Sequence, residues 1–258
     1  MKNGNKGFTL VELSIVIVIV GLIIAGVTAG QTLIRGAQLR SVITQADQVR
    51  AAVNAFKLQY NGLPGDLTNG TTFFTTGCLG ADATSTSVAD DCNGDGNKQI
   101  SIASKSTATF AKESYIAWQQ LSLAKLFPGS YIPGNIDETV GTIGTNIPAS
   151  KFNGAGITIG YNAATMLTSS NTAGTSKNII LFGFPGSTLI ANTPFLTPSK
   201  ASSIDQKADD GVATTGSVYA GFSAGAGVAG ALTTCANTST GVYVFLTATA
   251  TCSIGFVL

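Results

Sequence analysis

The 258-residue chain has no histidine, and only 10% of its residues are charged. Without histidine, Ser–His and Cys–His nucleophilic catalysis are excluded. The usual zinc sites built from cysteine and histidine are excluded with them. A glycine-rich phosphate-binding loop is also lacking. Paired carboxylates can hydrolyse glycosides, but nothing in the sequence favours a sugar-binding cleft. We therefore predict a protein without enzymatic activity.

A strong charge of either sign is lacking too. The chain has 14 basic and 13 acidic side chains, which give a formal net charge of +1. Nucleic-acid-binding domains present an excess of lysine and arginine, so no nucleic-acid partner is predicted. The length suits one large domain or two small ones. What is abundant is glycine, with 31 residues, together with alanine, serine and threonine. Such a composition is typical of an uncharged, secreted surface.

Cysteine is scarce, but its number is even: Cys78, Cys92, Cys235 and Cys252. None of them has CxxC spacing, so disulfides are favoured over a metal site. Four cysteines allow three connectivities, and we favour the local pairs Cys78–Cys92 and Cys235–Cys252. Closing loops of this length would stabilise the fold by roughly 3 kcal/mol each. Four buried free thiols are the alternative. Disulfides predict that most of the chain lies in an oxidising compartment outside the cytoplasm.

Proline is absent from the first 63 residues, and this stretch predicts one long helix. A helix from about Phe8 to Tyr60 would be roughly 80 Å long. Its C-terminus is predicted at Asn61-Gly62, with the glycine as a left-handed cap. Pro64-Gly65 then favours a type II turn.

The two halves of this predicted helix differ in character. Residues 8–34 are almost wholly apolar up to Gly30, which is long enough to cross a membrane. Residues 35–62 are amphipathic, because apolar side chains recur at spacings of three and four. These side chains are Val42, Ala46, Val49, Val53, Phe56 and Tyr60. The first half therefore requires lipid or other apolar helices, and the second requires a globular domain on one side.

Glu12 is the single charge within the apolar run. A carboxylate in a membrane span costs at least ~2.5 kcal/mol near the bilayer centre and less near its edge. No basic residue of the span can pair with it. Cleavage after Gly7 would create an α-amine at Phe8, in the same layer of the membrane. Between staggered helices, Glu12 could pair with the amine of the next subunit and set the register of stacking.

The segment KGFTLVEL, from Lys6 to Leu13, resembles the signal of type IV prepilins and type II secretion pseudopilins. The resemblance covers about residues 6–60. It implies cleavage between Gly7 and Phe8 by a prepilin peptidase, N-methylation of Phe8, and an assembly role for Glu12. The implied fold is α+β and pilin-like, with a long N-terminal helix packed on an antiparallel sheet. Residues 1–7 would be the leader peptide, and residues 63–258 the extracytoplasmic globular domain.

The globular region shows mixed patterns. Residues 113–127 predict a helix, and Thr197 with Pro198 predicts the start of a second one that extends to Asp209. Strands are predicted at 156–161 and 178–184. The apolar runs at 241–246 and 252–258 predict a hairpin.

Acidic loop residues form two patterns of interest. Asp91, Asn93, Asp95 and Asn97 stand at alternate positions, which is the spacing that points oxygen ligands at a calcium ion. The position of the closing glutamate in an EF-hand is occupied by Ile102, so a looser calcium site is the hypothesis and a polar turn the alternative. Asp205, Asp209 and Asp210 end a predicted helix, where acids are unfavourable. We expect a surface ion pair with Lys207 there.

These observations predict a structural subunit of a type IV pilus-like filament or a type II secretion pseudopilus. Its partners would be other copies, other pilins, the prepilin peptidase and the bacterial inner membrane. From a single membrane pass, the subunit would move to a filament at the cell surface or in the periplasm. The alternative is a membrane-anchored binding or adhesion module that does not polymerise.

Overall fold

A computed structural model gives the fold. It describes residues 8–74, 92–101, 113–132, 141–152, 154–161, 177–185, 193–221, 235–237, 240–246 and 249–258. Four helices are described: α1 (Leu10–Tyr60), α2 (Gly70–Phe73), α3 (Glu113–Leu123) and α4 (Pro198–Ala208). Four strands are described as well: β1 (Gly156–Tyr161), β2 (Asn178–Gly183), β3 (Val218–Gly221) and β4 (Ser253–Val257).

The strands form one sheet in the order β1-β2-β4-β3, and every neighbouring pair is antiparallel. The register aligns apolar side chains on one face, because alternate residues of a strand point the same way. These side chains are Ile157, Ile159, Ile180, Phe182, Val218, Ala220, Ile254 and Phe256. All of them belong to the same hydrophobic core as the amphipathic half of α1. The predicted pilin-like α+β fold is therefore confirmed.

Helix α1 packs through the stripe that its sequence predicts. Val42, Ala46, Val49 and Phe56 are fully buried, and Val53 nearly so. Arg50 adds a polar attachment to the sheet, since its Nε donates to the backbone oxygen of Val257 over 2.7 Å. Its guanidinium also lies 5.8 Å from the centre of the Phe256 ring. This half of the helix is thus fixed to the centre of the sheet.

The end of α1 departs from the prediction in one detail. Asn61, and not Gly62, is the left-handed C-cap, with φ 55° and ψ 32°. Asparagine tolerates this conformation better than most residues because its short polar side chain bonds locally. The type II turn that follows is confirmed: Gly65 has φ 86°, and the Asp66 N–H donates to the Leu63 oxygen over 3.2 Å.

The predicted hairpin between 241–246 and 252–258 is wrong. β4 lies between β2 and β3, and so both of its edges are already paired. Tyr243 instead forms an isolated antiparallel bridge with Ala236. An apolar run does not identify a pairing partner. The run at 241–246 is not a buried strand either, because Val242, Phe245 and Leu246 are exposed while Tyr243 is buried. The short strand β3 was not predicted, whereas β1, β2 and the N-cap position of Thr197 are confirmed. The Thr197 side chain makes no capping hydrogen bond to α4. Helix α3 begins as predicted and ends at Leu123, sooner than expected.

Candidate functional site

The start of α1 is a capping box built by Thr9 and Glu12. Thr9 is the N-cap, and its hydroxyl accepts from the Glu12 N–H over 3.2 Å. In return, one Glu12 carboxylate oxygen accepts from both the Thr9 N–H and the Thr9 hydroxyl, each over 2.8 Å. This reciprocal arrangement satisfies donors at the helix start that lack partners within the helix. Sequence reasoning missed it, although threonine three residues before glutamate is its usual signature.

The apolar half of α1 has no cover from the rest of the described chain. Large side chains from Leu10 to Ile34 are exposed, among them Leu10 at 87% and Leu22 at 70%. By length and composition α1 can cross a membrane, and a signal sequence near the N-terminus would satisfy the same criterion. An apolar surface of this extent marks contact with lipid or with other proteins. Phe8, the predicted new N-terminus, is 86% exposed, and Gly7 lies outside the described residues.

Three carboxylates lie close together near the C-terminal end of α1, and we call them the carboxylate cluster. They are Asp66 after the Pro64-Gly65 turn, Asp95 in the 92–101 segment, and Glu113 at the first position of α3. One oxygen of each lies within 4.8 Å of the other two. Asp66 and Glu113 are buried and Asp95 is exposed.

Backbone donors hold this cluster. Glu113 accepts from the N–H groups of Asp95, over 3.0 Å, and Ser101, over 2.7 Å. Asp66 Oδ2 accepts from the Lys98 N–H over 2.8 Å. Burial, together with the neighbouring carboxylates, raises the pKa of Glu113 to about 7 against these donors. Burial likewise raises the pKa of Asp66 to about 6, with Asp95 adding to the rise.

The four residues predicted to bind calcium do not all face this point. Asp95 is part of the cluster, but Asn93 Oδ1 accepts from the Thr71 N–H over 3.0 Å. Asn97 Oδ1 accepts from the Gln99 N–H over 2.7 Å, and its amide donates to Asp95. Asp91 lies outside the described residues. Asp66 and Glu113 were not predicted here, since the spacing of one loop cannot indicate acids from other elements.

A second acidic group surrounds Asp205, which is fully buried in α4. It accepts from the Tyr243 hydroxyl over 2.8 Å and from the Gly211 N–H over 3.3 Å. Burial raises its pKa to about 6. The same burial and the Asp205 charge raise the pKa of Tyr243.

The expected ion pair between Lys207 and these acids is wrong, because the only ion pair among the described residues joins Arg50 to Asp47. Asp209 and Asp210 accept hydrogen bonds from the following loop instead. Asp209 Oδ2 accepts from the N–H groups of Ser217 and Val218. Asp210 accepts from the Val212 N–H and the Thr215 hydroxyl. These acids therefore serve as loop caps, and their position at a helix C-terminus is explained without a lysine.

The cysteines agree with the favoured pairing where they are described. Cys235 and Cys252 form a disulfide with a Cα–Cα distance of 5.2 Å. Cys92 is fully buried and disulfide-bonded. Its predicted partner, Cys78, lies outside the described residues.

Comparison with known proteins adds one finding. Residues 2–28 match the family model of the prokaryotic N-terminal methylation motif. No curated protein and no solved structure matches the chain significantly. The matched segment contains Gly7, Phe8 and Glu12, and it leads into a helix that packs on an antiparallel sheet. The chain therefore carries a prepilin-like signal at its N-terminus, and the rest of the described chain has a pilin-like α+β fold.

Proposed function

We propose that this protein is a structural subunit of a type IV pilus-like filament or a type II secretion pseudopilus. It matures by cleavage between Gly7 and Phe8 and by N-methylation of Phe8. The observation that supports this most is the division of α1. One half is exposed, apolar and largely within the methylation motif, and the other half is buried on one side against the sheet. A helix of this kind can transfer from lipid to a filament core, because both surroundings are apolar.

Glu12 supplies the interaction that favours the filament core over the lipid. Among the described residues, its carboxylate accepts hydrogen bonds from Thr9 alone. Both Thr9 groups survive a cut between Gly7 and Phe8, so maturation leaves the capping box intact. The cut adds a positively charged amine one residue ahead of the box. In a staggered stack of helices, the amine of one subunit meets the Glu12 carboxylate of the next and neutralises both charges in a dry core.

A pair of substitutions separates the charge of Glu12 from its capping role. Glu12→Gln keeps an oxygen that accepts from Thr9, since glutamine also suits a capping box. It removes only the charge, and we expect the subunit to enter the membrane but to form no filaments. Thr9→Ala is the matched control, because it weakens the cap by about 1 kcal/mol and keeps the charge. We expect filaments from this variant.

The measurement is a count of filaments in sheared surface and periplasmic fractions, with membrane-bound subunit measured in parallel. Filaments at the wild-type level from Glu12→Gln would refute the charge-pairing role. If the wild-type protein itself is found only as monomers in the membrane, it is an anchored module that does not polymerise. Mass spectrometry of the native protein tests the processing step. An N-terminus other than N-methylated Phe8 would contradict it.

A further inference from the structure

Separate parts of the chain converge on the carboxylate cluster. The Pro64-Gly65 turn supplies Asp66, the 92–101 segment supplies Asp95, and the first turn of α3 supplies Glu113. Their packing is close. A methyl group on Gly65 would lie 2.2 Å from the Glu113 backbone oxygen, and one on Gly94 would lie 2.4 Å from the Asp66 Cα. The three acids are thus held together by the backbone itself.

No positive side chain of the described residues neutralises this cluster. The only ion pair among the described residues joins Arg50 to Asp47, and both of these residues belong to α1 and not to the cluster. Lys98 donates its backbone N–H to Asp66, but this residue is exposed and its side chain forms no ion pair with the described acids. Like charges at this separation repel, and burial strengthens the repulsion because the local dielectric constant is low.

One buried oxygen of the cluster also lacks a partner. Asp66 is 5% exposed, and its Oδ2 accepts from Lys98. Its Oδ1 is buried and has no hydrogen-bond partner among the described residues. Buried carboxylate oxygens are normally satisfied, and an exception points to a missing ion or water. This observation is independent of the clustering, because it concerns an unmet bonding requirement and not the proximity of charges.

We propose that Asp66, Asp95 and Glu113 form a calcium site that joins the end of α1 to α3. Calcium prefers carboxylate oxygens and tolerates irregular geometry, whereas magnesium demands a near-ideal octahedron. Three carboxylates from different elements suit the former. Access exists, because Asp66, Gly96 and Lys98 also line an open groove of about 780 Å³ beside the end of α1. The ion offsets two of the three negative charges, supplies the partner that Asp66 Oδ1 lacks, and stabilises the fold by binding only its folded form.

The test uses the full chain in detergent micelles, stripped of metal with EDTA. Calcium binding is measured by titration calorimetry, and thermal unfolding is followed with and without calcium chloride. With calcium about a hundredfold above its Kd, we expect Tm to rise by roughly 5–10 °C. Asp95→Asn should abolish the calorimetric signal and the shift. Asp95 is exposed and keeps an acceptor for Asn97 as asparagine, so this variant should fold. Its Tm in EDTA should equal or exceed that of the wild type.

Asp210→Asn is the matched control, since it removes one exposed acid from the Asp205 group and leaves the cluster unchanged. It should keep the full calcium shift. Glu113→Gln tests the buried side of the site and should lose the shift as Asp95→Asn does. The proposal is overturned if the wild-type protein shows no binding, if magnesium but not calcium binds, or if Asp95→Asn keeps the shift. None of these outcomes depends on filament assembly, so this test and that of the proposed function are separate.

Discussion

At the scale of single residues, Asp205 shows how the fold accommodates a buried acid with neutral partners. Its carboxylate is fully buried and bonded to the Tyr243 hydroxyl and the Gly211 N–H. Asp209 and Asp210 face the same region, and no cation is paired with any of the three among the described residues. Burial therefore outweighs the two hydrogen bonds, and the folded-state pKa rises to about 6.

This shift predicts a pH dependence of stability. The unfolded aspartate titrates near 3.8, so between that pH and about 6 the folded state holds a proton that the unfolded state has lost. The stabilising contribution of Asp205 is complete below the unfolded pKa and disappears as pH rises through about 6. Asp205→Asn cannot titrate. The difference in unfolding free energy between wild type and variant, from denaturant titrations between about pH 4 and 7, should therefore shift against the wild type as pH rises. A constant difference would contradict this assignment.

Two glycines with nearly equal backbone angles offer a second test at this scale. Gly65 has φ 86° and Gly144 has φ 83°. Alanine at either position adopts a left-handed conformation at a cost of about 1–2 kcal/mol. At Gly65 its Cβ would also lie 2.2 Å from the Glu113 oxygen, whereas at Gly144 nothing lies within 4 Å. We expect Gly65→Ala to lower the unfolding free energy by about 1–3 kcal/mol more than Gly144→Ala. Equal losses of unfolding free energy in the two variants, measured by chemical denaturation, would show that the turn shifts to accommodate the Gly65→Ala Cβ at no cost.

At the scale of elements, α1 is one helix with two different environments. The capping box begins it, and Asn61 ends it after 51 residues. Its first half exposes apolar side chains, and its second half buries a stripe against the sheet. Within the second half, the two faces of the helix differ in burial as far as its C-terminal end. Phe56 is fully buried with its ring centre 4.5 Å from that of Tyr60, while Leu58 is 88% exposed.

Phe56 and Leu58 therefore predict truncation effects of very different size. Phe56→Ala removes a buried ring and leaves a cavity, so the unfolding free energy should fall by about 3–5 kcal/mol. Leu58→Ala removes a side chain that is already in solvent, and its effect should stay within about 0.5 kcal/mol. Chemical denaturation of the isolated subunit in micelles measures both. A large loss in Leu58→Ala would mean that this surface is covered in the subunit.

At the scale of the whole molecule, the Cys235–Cys252 disulfide links the segment that begins at Cys235 to the start of strand β4 in the sheet. Cys252 immediately precedes the central strand β4 and bonds to Leu196 through the backbone. The bond closes a loop with a sequence separation of 17. The Asp205–Tyr243 hydrogen bond joins this same segment to α4. The sheet, α4 and the segment therefore support one another.

Removing this disulfide should destabilise the fold by about 3 kcal/mol, because the unfolded chain gains freedom. The double variant Cys235→Ala/Cys252→Ala is preferable to a reducing agent, which would also break the bond at Cys92. Thermal unfolding of the oxidised wild type and the variant makes the comparison. An unchanged midpoint would mean that hydrogen bonds such as Tyr243 to Asp205 already hold the segment.

The features that depend on near neighbours along the chain can be predicted from the amino-acid sequence. Periodicity and the absence of proline predict α1 to within two residues at its start, and the pattern in its second half identifies the buried stripe. The Pro64-Gly65 turn, the Thr197 cap and strands β1 and β2 follow from equally local chemistry. The prepilin-like signal is read from contiguous residues, because its motif is one linear segment.

The contacts between distant segments, in contrast, follow from the folded chain and from no local pattern. β4 pairs with β2 and β3 instead of the segment 241–246, since hydrophobicity alone does not specify a pairing partner. Asp95 joins Asp66 and Glu113, which no loop spacing indicates, because each acid is placed by a different element. Lys207 remains in solvent because backbone N–H groups reach Asp209 and Asp210. These contacts depend on the closure of the chain around the sheet, which brings together residues that are far apart in sequence.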